Sequence, residues 1–261
     1  MMRSPDSKRW FPLGAPRPDA ALRLICLPHA GGSTSVFRSW LKVLPRDIDV
    51  LPVQLPGREA RLDEPAFARL EPLMDALFAA IRPLLDRPYA LFGHSMGGLI
   101  AFELARAIRA AALPQPSHLF ISARQAPHAP PRWPLPHTLQ DAELSDLLRR
   151  LGGTPEQVLV DPALRELVFP ALRKDFELVD TYAYRPGPPL EVPLRAFGAT
   201  GDILVNAAAL ENWRAHTRHF LGVQMFPGHH HYFAAEPAPL LTTLLQDLGL
   251  RAAERVPGGS V

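Results

Sequence analysis

The sequence predicts an α/β fold in which a mostly parallel sheet is covered on both faces by helices. Six short apolar runs alternate with helical repeats, which is the signature of strands joined by crossover helices. The length, 261 residues with 47% hydrophobic and 21% charged, suits one soluble globular domain with a sizeable core. One serine stands between two glycines where a strand-like run gives way to a helical one, in "LFGHSMGGLIAFELA" (91–105).

The elements follow in order. "LRLICLP" (22–28), "DVLPVQLP" (49–56), "YALFGH" (89–94), "HLFISA" (118–123), "PLRAFGA" (193–199) and "VQMFPG" (223–228) have the length and flanks of buried strands. Between them, helical spacing recurs over 67–85, 98–111, 207–217 and 238–248. Residues 138–182 break the alternation, because "DAELSDLLRRLGG" and "DPALRELVFPALRKDFELVDTYAY" give consecutive helices with no strand between them. Proline-rich stalks, "RQAPHAPPRWPLPH" and "YRPGPPLEVP", flank this insertion and exclude regular helix or central strand there. A helical lid over about 124–190 is the reading, since some 45 residues make a poor independent core. Residues 1–20 read as an N-terminal extension, 21–250 as a single domain, and 251–261 as a flexible tail.

Composition narrows the function. The net charge of +2 is spread without a basic block, which argues against a nucleic-acid surface. No run approaches the ~18 apolar residues of a membrane span, and the N-terminus lacks a signal-peptide core, so a cytoplasmic protein is expected. The single cysteine, Cys26, lies in an apolar run and reads as a core residue. A monomer is the default expectation.

Ser95 carries the chemistry. In G-x-S-x-G the serine occupies a sharp strand-to-helix turn, and the flanking glycines leave room for the backbone to fold back and present the hydroxyl. Chance alone would produce the pattern about 0.1 times in a chain of this size. The following helix offers unpaired N–H groups and a positive dipole end. Such a nucleophile needs a histidine base oriented by a carboxylate, and in α/β-hydrolase folds these follow in the order Ser, Asp or Glu, His. Asp202, in "FGATGDILV", directly follows a strand, whereas Glu236 and Asp180, the alternatives, close none. "MFPGHHHYF" supplies His229, His230 and His231 after the last strand. Three consecutive residues cannot all face one ion on an extended strand, so this run does not read as a zinc site. The loop "LPHAGGSTSVF" (27–37) is suited to an oxyanion hole, with Ala30 and Met96 as N–H donors. It does not match the phosphate-binding G-x-x-x-x-G-K-[ST] pattern.

With these segments in view the chain resembles the free-standing type II thioesterases of nonribosomal peptide and polyketide assembly lines, which have the α/β-hydrolase fold. The likeness runs from about residue 22 to 235, through "LICLPHAGGSTSVFRSW", "VLPVQLPGREARLDEP", "LFGHSMGGLIAFELA", "SARQAPH", the lid segment, "FGATGDILVNAAALENWRAHT" and "FPGHHHYF". By motif, Ser95 matches the family nucleophile, Asp202 the acid, His230 the base, and Ala30 and Met96 the oxyanion donors. The chain departs from the pattern at His231, where an aromatic is usual, and at His229, where glycine or aspartate is usual.

The resemblance implies hydrolysis of acyl thioesters on the phosphopantetheine arm of acyl or peptidyl carrier proteins, with no metal or redox cofactor. His29, Phe176 and Tyr182 are then expected to contact substrate. A general carboxylesterase or lipase would use the same triad, an acyltransferase would pass the acyl group to another acceptor, and a carrier-binding protein on a hydrolase scaffold would need no triad at all.

Overall fold

The computed structural model describes residues 5–13, 17–130 and 135–250. Six strands, β1 (Leu22–Leu27), β2 (Ile48–Pro52), β3 (Tyr89–His94), β4 (Leu119–Ser122), β5 (Leu194–Ala199) and β6 (Phe220–Phe226), form one sheet. Its order is β2-β1-β3-β4-β5-β6, and every neighbouring pair is parallel. The α/β-hydrolase architecture is therefore present as the alternation implies.

The central strands are mostly apolar because both faces are covered. Along β1, Ile25 and Leu27 enter the larger core with α3 (Leu70–Ile81) and α4 (Met96–Ala110), while Leu24 and Cys26 enter the core on the other face with α9 (Ala238–Asp247). Cys26 is a free, buried thiol, as its apolar setting implies. The N-terminal α1 (Pro5–Trp10) packs on α3, and Trp10 and Phe11 are buried in the larger core. Part of the N-terminal extension thus helps to complete the domain. Near β1, the short α2 (Trp40–Val43) buries Trp40 against Phe37, Phe92 and Phe233.

Three elements differ from expectation. β2 ends at Pro52, four residues before the run at 49–56 does. β6 begins at Phe220 instead of 223; as the sheet edge it is half-exposed, so its first residues lack the continuous apolar run of a central strand. The helical pattern at 207–217 divides into α8 (Ala207–Glu211) and a 3-10 turn at Asn212–His216. The tighter turn keeps Trp213 fully buried, with its indole N–H donating to the Arg124 carbonyl.

The insertion is helical: α5 (Asp141–Leu151), α6 (Glu156–Val160) and α7 (Pro162–Asp180) follow one another without a strand. They share a small core of Leu144, Leu148, Leu159, Phe169 and Leu172, against which Ala30 and Phe176 also pack. Asp161 caps α7 by accepting from the amides of Ala163 and Leu164, and Pro162 at its first position costs no hydrogen bond. Residues 131–134 of the first proline-rich stalk and the tail 251–261 lie outside the described residues.

Candidate active site

Ser95 sits at the tip of the turn from β3 to α4 with φ 53° and ψ −114°, a conformation that side-chain-bearing residues rarely adopt. The turn closes only because its neighbours are glycines. A Cβ on Gly93 would lie 2.0 Å from the Gly97 carbonyl oxygen, and one on Gly97 would lie 2.1 Å from that of Leu27. The Ser95 amide donates to the Ser122 carbonyl at 2.7 Å, fastening the tip to β4.

Asp202 and His230 come from the loops after β5 and β6, and the two meet. The carboxylate accepts from His230 Nδ1 at 2.8 Å, while its other oxygen accepts from the amides of Leu204 and Val205 at 2.8 and 3.3 Å. Both side chains are buried. Burial by itself pushes the Asp202 carboxyl up, yet His230 and the two amides together bring it below its ordinary value. The carboxylate thus stays charged and fixes the tautomer that leaves His230 Nε2 free to accept a proton. Neither alternative acid is bonded to His230: Asp180 is paired with His137 at 2.7 Å, and Glu236 is exposed.

Ser95, His230, Ala30 and Met96 all line one cavity of about 620 Å³, whose far wall includes Phe176 and Tyr182 of the lid region. Among the described residues the amides of Ala30 and Met96 donate to no chain acceptor, and the Ser95 hydroxyl makes no side-chain hydrogen bond. A serine hydroxyl, an imidazole, two free N–H groups and a largely apolar chamber therefore share one space. Tyr182 donates its hydroxyl to Glu103 at 2.6 Å, which leaves its ring as the face toward the cavity.

His29 is not on this wall. Where the resemblance implies a substrate contact, its ring instead lines a separate groove of about 400 Å³ together with His231. The three consecutive histidines lie in the turn after β6, not on a strand, and their rings diverge: exposed His229 reaches the Gly201 carbonyl, His230 reaches Asp202, and His231 turns toward His29 at 4.3 Å between ring centroids. Fully buried His94 lies beneath them. Burial, with the neighbouring imidazoles adding to it, holds His29 and His94 well below the ordinary histidine range and brings His231 to about 3, so all three rings are neutral.

Two residues that tie the lid to the loop of Ala30 escape a sequence reading. Asp175 of α7 forms a buried, two-pronged ion pair with Arg58, at 2.5 and 2.8 Å, and also accepts from the Gly31 amide at 2.7 Å. This joins the lid to the loop that presents Ala30. Gly31 has φ 75°, a backbone conformation that favours glycine, and the Leu172 side chain of α7 lies against it. "PGR" and an aspartate within an amphipathic helix carry no signal of their own.

The comparisons with known proteins agree with this geometry. A family model described as a thioesterase domain matches residues 22–248. The gramicidin S biosynthesis protein GrsT of Aneurinibacillus migulanus is 38% identical over 248 residues, covering 95% of this chain and 97% of its own. Among solved structures, the RedJ thioesterase of the prodiginine pathway in Streptomyces coelicolor superposes with a TM-score of 0.81 at 37% identity, over 92% of this chain and 98% of that one. The type II thioesterase BorB of the borrelidin cluster gives 0.82 at 33%, over 96% and 100%. A chain matched over nearly its whole length by that family model, and by relatives of its own size, belongs to the thioesterase family of α/β-hydrolase-fold enzymes, hydrolases that act on thioesters.

Proposed function

We propose that this thioesterase removes acyl groups from the phosphopantetheine arm of carrier proteins in nonribosomal peptide or polyketide assembly, clearing misprimed or stalled units. The observation that carries the reading is the bonded Asp202–His230 pair opening onto the cavity that Ser95, Ala30 and Met96 share. Relatives named for gramicidin S, prodiginine and borrelidin biosynthesis support the carrier protein as partner.

In the proposed reaction the thioester carbonyl sits beside Ser95. His230 Nε2 takes the hydroxyl proton as Oγ attacks; Asp202 stabilises the imidazolium, and the amides of Ala30 and Met96 hold the oxyanion. The Ser95–His230 hydrogen bond forms on substrate binding, since catalytic contacts commonly tighten only in the complex. Collapse expels the pantetheine thiolate, which takes the proton from His230. Water, losing its proton to His230, then attacks the acyl-serine, and the acid leaves as Ser95 regains the proton. The thiolate is a good leaving group, so no metal or redox cofactor is needed. The enzyme acts as a cytoplasmic monomer and engages no nucleic acid. Among the described residues no helix is long and apolar enough to cross a membrane.

The test is intact-protein mass spectrometry of a carrier protein loaded in turn with several acyl groups. The wild type should restore the free-thiol carrier and Ser95→Ala should not, with kcat down about 10⁶-fold. Faster turnover of small oxygen esters than of acyl-carrier would favour the carboxylesterase reading instead.

A further inference from the structure

The acyl cavity occupies one side of the catalytic loops; the other side holds a cluster of imidazoles that the hydrolytic mechanism does not use. His29 follows β1, His94 ends β3 and His231 follows β6. One ligand nitrogen from each lies within 4.8 Å of those of the other two. Two nitrogens in this cluster, His29 Nδ1 and His94 Nε2, are buried and have no hydrogen-bond partner among the described residues. Buried polar groups without a partner are destabilising, so the arrangement calls for an occupant.

We propose that His29, His94 and His231 form a binding site for a divalent transition metal of the zinc class. Three neutral imidazoles suit zinc, copper or nickel over magnesium or calcium, which prefer oxygen. His94 is already oriented for ligation, because its Nδ1 is hydrogen-bonded to the Ser122 hydroxyl at 2.9 Å, which is bonded in turn to the Tyr232 hydroxyl at 2.8 Å. That outer chain points Nε2 away from β4, as partners of ligating histidines do. The groove of about 400 Å³ lined by His29 and His231 supplies an entry path and room for water at an open fourth position. Tetrahedral bonds of ~2.0–2.1 Å set the nitrogens about 3.4 Å apart, so pairs now within 4.8 Å need to close by at most about 1.4 Å.

Each ligand adjoins a residue of the proposed hydrolytic machinery: His29 precedes Ala30, His94 precedes Ser95, and His231 follows His230. A bound ion therefore clamps the three catalytic loops to one another.

Isothermal titration calorimetry of the untagged protein with zinc chloride tests the site without requiring turnover, so its outcome is independent of the thioesterase reading. One zinc per chain is expected for the wild type and for His229→Ala, which removes the adjacent exposed ring outside the cluster. Affinity should fall at least tenfold in His231→Phe and in His29→Asn, the latter on a different loop in case the former fails to fold by thermal denaturation. Wild-type affinity matched by the folded variants, or an equal loss in His229→Ala, would overturn the proposal.

Discussion

The two walls of the acyl cavity are held by different forces. On the sheet side, Ser95 follows the last residue of β3, and Asp202 and His230 stand three and four residues beyond β5 and β6; parallel pairing, continued by the Thr200 and Gly201 amides donating to the Phe226 and Gly228 carbonyls, fixes their backbones. On the lid side, α7 has its own small apolar core, and its charged tie to the sheet loops is Asp175, paired with Arg58 and the Gly31 amide. The proposed reacting groups are thus positioned by backbone tied to the sheet, whereas the cover is held through side chains: Asp175 on Arg58, Glu177 on Arg69, and Leu178 in the larger core. Chemistry and closure should be separable by mutation.

Asp202→Asn strikes the sheet side and should have the largest effect of the substitutions considered in this comparison. The amide cannot enforce the His230 tautomer, and kcat for an acyl-pantetheine thioester should fall about 10⁴-fold with an unchanged melting curve. A loss in melting temperature of similar severity to the loss in rate would blur the distinction between the two walls.

Asp175→Asn strikes the lid side. It leaves Arg58 buried without its charge partner, which should cost about 3–5 kcal/mol in urea denaturation. Hydrolysis should fall by no more than about 10²-fold, the scale of an ångström's misplacement in the oxyanion loop. If Asp175→Asn instead matched Asp202→Asn in rate while remaining fully stable, the lid tie would have to be counted with the chemistry.

The smallest effect is expected from the back of the sheet side. Saturating zinc should slow wild-type hydrolysis about tenfold by drawing the three catalytic loops together, and should leave His231→Phe unaffected. Steady-state rates with and without the ion, on both proteins, make the comparison.

These two walls are not equally legible in the sequence. Strand runs buried on both faces declare themselves by continuous apolarity, so β1, β3 and β5 and the residues that follow them can be read directly, and G-x-S-x-G marks the turn at Ser95. Edge strand β6 reads three residues short because exposure dilutes its pattern. The pair Arg58–Asp175 spans 117 positions, and nothing local distinguishes either residue from a solvated surface charge. The histidine cluster is hidden for a related reason. The visible run at 229–231 diverges in space, while His231's partners, His29 and His94, sit inside motifs defined by their glycines and serine.

The central claim is that the acyl group rests on Ser95 between two half-reactions. Rapid acid quench of the enzyme with a slowly hydrolysed acyl-pantetheine thioester, followed by digestion and peptide mass spectrometry, tests it most directly. The account predicts one acylated peptide, the one containing Ser95, absent from Ser95→Ala. Acylation confined to another residue, or hydrolysis persisting in Ser95→Ala at the wild-type rate, would contradict it.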